Sequence, residues 1–520
     1  MKRVPAVIWV LVALNGALLS MYALLFPPYT GFDEPQHVDM TLHVLRGETW
    51  PWPGPGELPL SRGVGASSNP VYFGPLSRRP YTNDPLPNRP RATIGQLDRT
   101  PKPAVANYPN QMVQHPPAYY GLAALVLKAW PGSVDDMPYD EVVGVLRLLS
   151  VLLMTPLPLL MWAGVKRLAA PTTAVAAAAF SLGIPGLTRV GANVQNDDLL
   201  ILATSALLVA LARVVTGDLS RRTAVFVGLF TALALFTKGF ALVLPVVVLA
   251  AYVLHRRAGF RPLTWALGVG GVLGAPWYVM NLVRFGKIQP EGLGPAADKQ
   301  FRGPEDHTHP HTIAGYVDHT STLLVRRFWG AIGSPDQPSL PVWLCWSLTV
   351  AITVLIAVAL LARRGGRGPL GVMLMPIPLM LVIVVAGSLH WWRFNGGLPG
   401  VQGRYLYPGL LGLLAVVAIG LTTVLRSRRA LAPLLAIVAA FVLQAWALVI
   451  ILHNYWVPGH DVVAGAKGVL HWSPWPPVVT ALPFVAVVVL TPWALALCAR
   501  GAFTRSTPVI HGDLLTSDAF

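Results

Sequence analysis

Two adjacent carboxylates and an imidazole stand shortly after the first apolar segment of this chain. Asp33, Glu34 and His37 follow an apolar run over residues 4–26. Ionisable groups beside a membrane helix tend to face a water-filled cavity, so they indicate a functional site more often than an ordinary solvent-exposed position. A carboxylate there can accept the proton of an attacking hydroxyl, which is general base catalysis. In a helix over residues 33–44, His37 lies one turn along on the same face, where it can orient the base or contact an acceptor.

Two basic residues are candidates for binding a phosphate group. Lys238 interrupts an apolar stretch, and a buried ammonium group there needs a counter-charge that a lipid phosphate can supply. Arg404 begins an apolar segment, and its guanidinium group matches two phosphate oxygens. Such cations would stabilise the charge that develops on a departing phosphate. The alternative for both is a side chain that only extends to the membrane surface.

Further polar residues at the ends of apolar segments are candidates for binding substrate. Asn196 and Asp197 open one segment, where they can contact an acceptor, help to bind a metal ion or cap the helix. Gln402 and Tyr405 flank the Gly-Arg pair at the start of another. His115 precedes a Pro-Pro pair, and its alternative role is a hydrogen bond to backbone or water.

A metal requirement stays open at this stage, and no metal ligand is assigned. Residues 307–311 hold three alternating histidines, as in some metal-binding tracts. No matching ligands recur at a fixed spacing, so the tract favours a solvated loop. Cys345 and Cys498 lie inside apolar runs, which excludes a disulfide framework.

Composition places the chain among polytopic membrane proteins. Of its 520 residues 54% are hydrophobic and only 12% are charged, whereas a soluble chain carries about 25% charged residues. The net charge of +16 comes from basic residues between apolar segments, as in the cytoplasmic loops of membrane proteins. This placement argues against a nucleic-acid partner.

Apolar runs of roughly 17–25 residues predict about twelve transmembrane helices, because that length spans a bilayer. The predicted spans lie near residues 4–26, 142–165, 172–190, 198–216, 222–238, 240–254, 263–283, 341–362, 369–389, 404–425, 430–453 and 476–498. The stretch over residues 222–254 reads either as two short spans or as a broken hairpin. Residues 116–130 are too few for a span and predict a helix in the membrane interface. The predicted fold class is therefore an all-α integral membrane bundle.

The basic residues predict which side of the membrane each loop occupies. Pairs such as Lys166-Arg167 and Arg363-Arg364 fall on one side, which the positive-inside rule assigns to the cytoplasm together with both termini. The loops over residues 27–141 and 284–340 then lie outside, and the first is expected to carry interfacial helices. We expect one transmembrane domain over residues 1–500 and a cytoplasmic tail over residues 501–520.

Six short motifs fall on that predicted outer face. They are Asp33-Glu34-Pro35-Gln36-His37, Gln114-His115-Pro116-Pro117-Ala118-Tyr119-Tyr120, Asn196-Asp197-Asp198, Leu235-Phe236-Thr237-Lys238-Gly239, Arg327-Phe328-Trp329-Gly330 and Gln402-Gly403-Arg404-Tyr405-Leu406-Tyr407-Pro408. Their order and spacing resemble the DUF2142 family of predicted membrane proteins, within the GT-C superfamily of membrane glycosyltransferases.

This resemblance implies a hexosyl- or pentosyltransferase in the cell membrane. It would move a sugar from a polyprenyl-phosphate donor to a cell-envelope glycan or glycolipid acceptor on the outer face. The general base would be Asp33, with Glu34 as the less favoured holder of that role. No cofactor is certain, and a divalent metal is left open.

Two other readings share these residues. A transporter or flippase of a lipid-linked or anionic substrate would use the same cations, but it would need polar residues at mid-membrane, and the predicted spans are apolar at their centres. A glycan polymerase or ligase would also use an outer acid and arginines, and the sequence barely separates it from a glycosyltransferase.

Overall fold

A computed structural model describes residues 4–72, 91–101, 109–294, 312–332, 339–362, 366–398, 400–456 and 461–503. Within these ranges the regular structure is helical, and β-pairing is limited to three isolated bridges. The predicted all-α membrane architecture is confirmed. The tract over residues 307–311 and most of the predicted C-terminal tail lie outside the described residues.

The α-helices are numbered here in chain order. They are α1 (Ala6–Leu25), α2 (Glu34–Leu45), α3 (Arg62–Tyr72), α4 (Ile94–Asp98), α5 (Ala118–Ala129), α6 (Tyr139–Met154), α7 (Leu157–Leu168), α8 (Pro171–Phe180), α9 (Pro185–Val190), α10 (Asp197–Val215), α11 (Arg221–Leu235), α12 (Leu244–Val253), α13 (Arg261–Gly274), α14 (Pro276–Phe285), α15 (Ile313–Trp329), α16 (Val342–Ala362), α17 (Arg367–Leu374), α18 (Pro376–Asn395), α19 (Leu410–Leu425), α20 (Ala432–Tyr455), α21 (Val462–Trp472) and α22 (Pro477–Phe503).

Seven helical stretches of the described chain are long and apolar enough to cross a membrane, and the bent pair α13–α14 makes up to eight. The seven are Ala6–Leu25, Tyr139–Leu168, Asp197–Val215, Val342–Ala362, Arg367–Asn395, Gly403–His453 and Pro477–Gly501. The stretch Gly403–His453 runs through two of the predicted spans, α19 and α20, across a short 3-10 segment. The predicted count of about twelve is therefore not confirmed.

Helix breaks explain most of the difference. The predicted span over residues 172–190 is divided into α8 and α9, with Pro185 at the start of the second piece. The stretch over residues 222–254 forms two short helices, because α11 ends at Leu235 and Lys238 has extended backbone. The pair α13–α14 is bent by 52°. A helix of 15 residues covers only about 22 Å, less than the ~30 Å of hydrocarbon.

Helix α10 lies deepest in the bundle. In its apolar window 78% of the residues are buried, compared with 11% in α16 and in α22. The two outer helices therefore expose apolar surface suited to lipid, whereas α10 packs against α6, α7 and α11. The first residue of α10 is Asp197, so this carboxylate begins its helix inside the protein.

A buried ion pair fixes the start of α2 against the end of α1. Arg147 of α6 donates from Nε to Glu34 Oε1 at 2.8 Å and from Nη2 to Glu34 Oε2 at 2.7 Å. The same guanidinium group donates to the carbonyl oxygens of Ala23, Phe26 and Pro27. These carbonyls belong to the last turn of α1 and its exit, where helical partners are lacking. One side chain thus joins α1, α2 and α6.

Hydrogen bonds from α2 also hold the segment that precedes α5. Asp39 accepts hydrogen bonds from the Ser61 backbone N–H at 2.9 Å and from Asn110 Nδ2 at 2.8 Å. Asn110 Nδ2 also donates to the Gln36 carbonyl oxygen at 2.9 Å. A short 3-10 helix over Gln111–Gln114 therefore lies at a fixed distance from α2.

Replacing Glu34 by Gln should strongly destabilise the fold. The change leaves the Arg147 charge buried without its counter-charge, and breaking such a pair costs about 3–5 kcal/mol. We expect the free energy of unfolding, measured by SDS titration of purified protein, to fall by about 3 kcal/mol. Glu141→Gln, on the first turn of α6, is the matched control and should change little. An unchanged stability of Glu34→Gln would contradict this role of the pair.

Candidate functional site

A cavity of about 610 Å³ lies where several separated parts of the chain meet. The main ones are the start of α2, the 3-10 helix before α5, the break after α11 and the segment before α19, and residues from α15, α18 and the segment after α14 complete the lining. Seven of the ten predicted site residues line it, namely Asp33, His37, His115, Lys238, Gln402, Arg404 and Tyr405. Glu34, Asn196 and Asp197 are not among its lining residues.

Asp33 faces this cavity from a left-handed turn. Its backbone φ is 54° at the residue before α2, a conformation that Asp tolerates better than most residues. The side chain is 30% exposed. Its Oδ1 accepts a hydrogen bond from Gln111 Nε2 at 3.2 Å, and its Oδ2 accepts one from Arg404 Nη2 at 3.0 Å. The carboxylate is therefore held in the cavity by one neutral and one charged donor.

Its neighbour Glu34 is directed away from the cavity. Besides the two bonds from Arg147, its oxygens accept the backbone N–H groups of Val194 at 3.1 Å and Gly31 at 3.2 Å. The side chain is fully buried. With four hydrogen bonds and no contact with the cavity, Glu34 has a structural role, and the alternative of Glu34 as the base loses its geometric basis.

Lys238 and Arg404 lie on either side of one buried carboxylate. Lys238 Nζ donates to Asp197 Oδ1 at 2.7 Å, and Arg404 Nε lies 3.5 Å from Asp197 Oδ2. Arg404 Nη1 also donates to Gln195 Oε1 at 3.4 Å. Simple extension of Lys238 or Arg404 to the membrane surface does not describe these side chains, because both are at most 6% exposed and both are ion-paired.

Two glycines permit the close approach of backbone at this site. A Cβ on Gly403 would lie 2.1 Å from the backbone nitrogen of Phe328, so a larger residue would push the Arg404 segment away from α15. A Cβ on Gly292 would lie 2.1 Å from the carbonyl oxygen of Gln111. Both contacts are backbone contacts, which cannot be relieved by rotation of a side chain.

The two histidines form a neutral pair on the cavity wall. His37 and His115 are stacked with ring centroids 6.5 Å apart, and His37 Nδ1 lies 3.0 Å from the Tyr120 hydroxyl. Burial, followed by the positive charges of Lys238 and Arg404, lowers the pKa of both histidines well below 6.5. They can therefore hydrogen-bond a sugar hydroxyl without adding charge. His37 does not hydrogen-bond the Asp33 carboxylate, so it does not orient the candidate base.

Aromatic and amide groups complete the lining. The rings of Tyr405 and Phe240 lie 4.4 Å apart, and Lys238 Nζ is 5.0 Å from the Tyr405 centroid. Gln402 contributes an amide beside them. An aromatic face together with amides is suited to a sugar ring, which has both apolar C–H faces and hydroxyl groups.

The Asn196 side chain does not cap its helix, which is one of the three roles considered for it from the sequence. It occupies the N-cap position of α10, but its side chain makes no capping hydrogen bond, so the capping interpretation is wrong for this residue. Its side chain is fully buried behind Asp197 rather than in the cavity wall. Asp197 itself is 1% exposed and serves as the shared counter-charge of the two cations.

The described residues of the cavity do not fit a divalent metal ion. In the described part of the chain, no group of three or more His, Cys, Asp or Glu side chains is arranged to hold one. Arg404 contacts both Asp33 and Asp197, so a cationic side chain stands between the two carboxylates.

Sequence reasoning missed Gln111 and Gln195, which contact Asp33 and Arg404 directly. Gln195 directly precedes the Asn196-Asp197-Asp198 motif, and this neighbourhood could have indicated that it belongs to the site. Gln111 lies in a polar loop and is uncharged, and no feature of its sequence neighbourhood marks it. Gln289 also lines the cavity, and its Nε2 donates to the Gln114 carbonyl oxygen at 2.5 Å.

An apolar groove of about 350 Å³ adjoins the cavity. It is enclosed mainly by carbon atoms of α11, α12, α13 and α14, among them Leu235, Leu267 and Val279. Leu242 lines both the groove and the cavity, so only this side chain and its neighbours separate the two. No charged side chain among the described residues lines the groove, so its surface is suited to a hydrocarbon chain.

Comparison with known proteins identifies a family. The family model described as a predicted membrane protein (DUF2142) matches residues 17–413, a range that contains every predicted site residue. The resemblance noted from the sequence motifs is thereby confirmed. No curated protein matches the chain.

Three solved structures are similar to this chain at low identity and with TM-scores below 0.5. ArnT from Cupriavidus metallidurans bound to undecaprenyl phosphate is 14% identical over 96% of this chain and 79% of that chain, with a TM-score of 0.45. The arabinosyltransferase EmbB from Mycobacterium smegmatis is 13% identical over 97% of this chain and 42% of that chain, with a TM-score of 0.42. The oligosaccharyltransferase from Archaeoglobus fulgidus is 13% identical over 94% and 55%, with a TM-score of 0.38. Similarity at this level carries no information on what the chain acts on.

Stability should depend on pH through the histidine pair. The unfolded chain takes up protons on these imidazoles below about pH 6.5, whereas the folded chain does not. The unfolded state then binds more protons, so stability falls as the pH is lowered through 6.5. We expect His37→Gln to lose less stability than wild type between about pH 7.5 and about pH 5.5 in SDS titrations.

The exposed His319 provides the control, because its side chain is 63% exposed. His319→Gln should retain the wild-type pH dependence. If His37→Gln and wild type lose equal stability over this range, the imidazole is not held neutral by the fold.

Proposed function

Because the chain belongs to the DUF2142 family of predicted membrane proteins and its cavity unites a carboxylate with two cations, we propose that it is a membrane glycosyltransferase. In this proposal a sugar passes from a polyprenyl-phosphate donor to a cell-envelope glycan or glycolipid. The single observation that carries the proposal is the meeting of Asp33, Lys238 and Arg404 in one cavity beside an apolar groove.

Asp33 is the proposed general base. An acceptor hydroxyl is a weak nucleophile until a carboxylate accepts its proton in the transition state. Asp33 is the partly exposed member of the Asp33-Glu34 pair and is the one that lines the cavity, whereas Glu34 is buried with Arg147. A base must reach its proton by a hydrogen bond, and this geometry supports Asp33 over Glu34.

Lys238 and Arg404 are proposed to hold the donor phosphate. Their positive charges would offset the charge that grows on the leaving phosphate as the glycosidic bond breaks. The phosphate would leave as an anion, so no protein acid is needed on that side. Burial supports the assignment, since a charge–charge interaction is stronger where water is excluded.

The apolar groove is proposed to hold the first isoprene units of the donor. It lies on the Lys238 side of the cavity and shares Leu242 with it, so a phosphate at Lys238 would place its hydrocarbon chain at the groove entrance. Burial of that chain contributes about 25 cal/mol per Å² of apolar surface. Binding energy from this remote part of the donor can help to position the reacting sugar.

His37, His115, Gln402 and Tyr405 are proposed to bind the sugars. Neutral imidazoles and amides recognise hydroxyl groups, and the Tyr405 ring offers a face for a sugar ring. Asn196 has no place in the cavity lining, and Asp197 acts only through the cations that it pairs with.

Membrane placement completes the proposal. The distribution of basic loops supports one transmembrane domain over residues 1–500, cytoplasmic termini and a cavity on the outer face. The loops over residues 27–141 and 284–340 would then cover the site from outside. Transport is less favoured, because Lys238, Arg404, Asp33 and Asp197 are paired with one another and the predicted spans are apolar at their centres.

Replacing Asp33 by Asn should abolish sugar transfer. Loss of the base is expected to lower the transfer rate about 10²–10⁴-fold, because general base catalysis contributes on that order. The assay uses purified protein in nanodiscs with radiolabelled polyprenyl-phosphate sugars and envelope glycan acceptors, and it measures new glycosidic bonds.

Asp135→Asn is the matched control, since Asp135 pairs only with the partly exposed Arg46 in the described structure. It should retain full activity. Full activity of Asp33→Asn would refute the assignment of the base. Movement of label across sealed vesicles without a new glycosidic bond would instead identify a transporter.

A further inference from the structure

The two cations proposed to hold the phosphate, Lys238 and Arg404, already have carboxylate partners, whereas Arg327, which also lines the cavity, donates to the Val401 carbonyl oxygen. Lys238 is paired with Asp197 at 2.7 Å, and Arg404 lies between Asp33 at 3.0 Å and Asp197 at 3.5 Å. Two positive and two negative side chains therefore form one contiguous cluster without net formal charge. A phosphate that enters this cluster competes with a carboxylate for the same N–H donors.

The two carboxylates differ in how firmly they are held. Asp197 is 1% exposed, contacts both cations and belongs to the first turn of α10. Its displacement would bury an unpaired charge, which is among the costliest changes in a protein interior. The Asp33 side chain is 30% exposed and contacts a single cation. An entering phosphate would therefore displace Asp33 and leave Asp197 in place.

We propose that the donor phosphate takes the Arg404 guanidinium from Asp33 and thereby releases Oδ2 of the base toward the acceptor hydroxyl. This inference rests on the proposed function, and it concerns the order of events at the same site. Only hydrogen bonds are exchanged in this step: the Arg404 Nη2–H bond to Asp33 breaks and one to a phosphate oxygen forms. The base becomes available only when the donor is present.

A second contact keeps the released base in place. Asp33 Oδ1 remains bonded to Gln111 Nε2 at 3.2 Å, and this amide is neutral, so a phosphate does not compete for it by charge. The backbone of Gln111 is in turn in close contact with Gly292. One oxygen of the carboxylate is thus tethered while the other is exchanged.

The experiment measures binding of farnesyl phosphate to the full-length protein in nanodiscs of neutral lipid by isothermal titration calorimetry. Asp33→Asn removes the competing charge and suits the left-handed backbone, which Asn adopts readily. We expect this variant to bind farnesyl phosphate roughly three- to tenfold more tightly than wild type, because the pair that must be broken is partly exposed.

The matched control is Glu57→Gln, which removes the same charge from a carboxylate that accepts a hydrogen bond from the Gly54 backbone N–H. It should bind farnesyl phosphate with wild-type affinity. Asp33→Gly, which also accommodates the positive φ, supplies a second variant without the side chain and should show the same gain.

The possible results distinguish a failure of the proposed Arg404 exchange from a failure of the proposed phosphate site. Equal or weaker binding of farnesyl phosphate by folded Asp33→Asn and Asp33→Gly would overturn the exchange of Arg404 while leaving the phosphate site intact. An equal gain in Glu57→Gln would also overturn it, since the effect would then be one of net charge. Failure of every variant and of wild type to bind farnesyl phosphate would remove both the exchange and the proposed phosphate site.

Discussion

The guanidinium group of Arg147 is the constraint on which the rest of this structure depends. A charge within an apolar helix is tolerated only where its donors are satisfied, and here they bond to both oxygens of Glu34 and to three carbonyls at the end of α1. The contact sets where the chain leaves α1 and where α2 begins. Asp33 lies between these two fixed points and directly precedes Glu34. Its position in the cavity therefore depends on the Glu34–Arg147 contact, in which Asp33 takes no part.

Seven of the ten residues predicted from the sequence line the cavity, but the partners of these residues could not be predicted. Asp33, Lys238 and Arg404 stand out because ionisable groups are costly at the ends of apolar segments. Asp33 and Glu34 are both carboxylates at adjacent positions, so the sequence does not distinguish them. The left-handed backbone turn at Asp33, with φ 54°, accompanies the placement of Asp33 in the cavity and of Glu34 in the protein interior. The pairing of Lys238 with Asp197 joins residues 41 positions apart and depends on how α10 packs against α11.

The all-α architecture could be predicted from composition, and the number of spans could not. A hydropathy window counts apolar residues and does not detect that α11 ends before Lys238 or that Pro185 starts a new helix. Arg147 is a basic residue inside the predicted span over residues 142–165, and a charge at such a position indicates a buried partner. The neutral Gln111 gave no such signal.

The separation of Asp33 and Arg404 along the chain has a consequence for biosynthesis. The two residues are 371 positions apart, and Tyr22 contacts Gln444 across 422 positions. At a synthesis rate of about 5–20 residues per second, the N-terminal carboxylate waits roughly 20 to 70 s for its guanidinium partner to leave the ribosome. A nascent chain therefore lacks a complete site until most of its helices have been inserted, and a protein truncated before Arg404 would have Asp33 without its guanidinium partner.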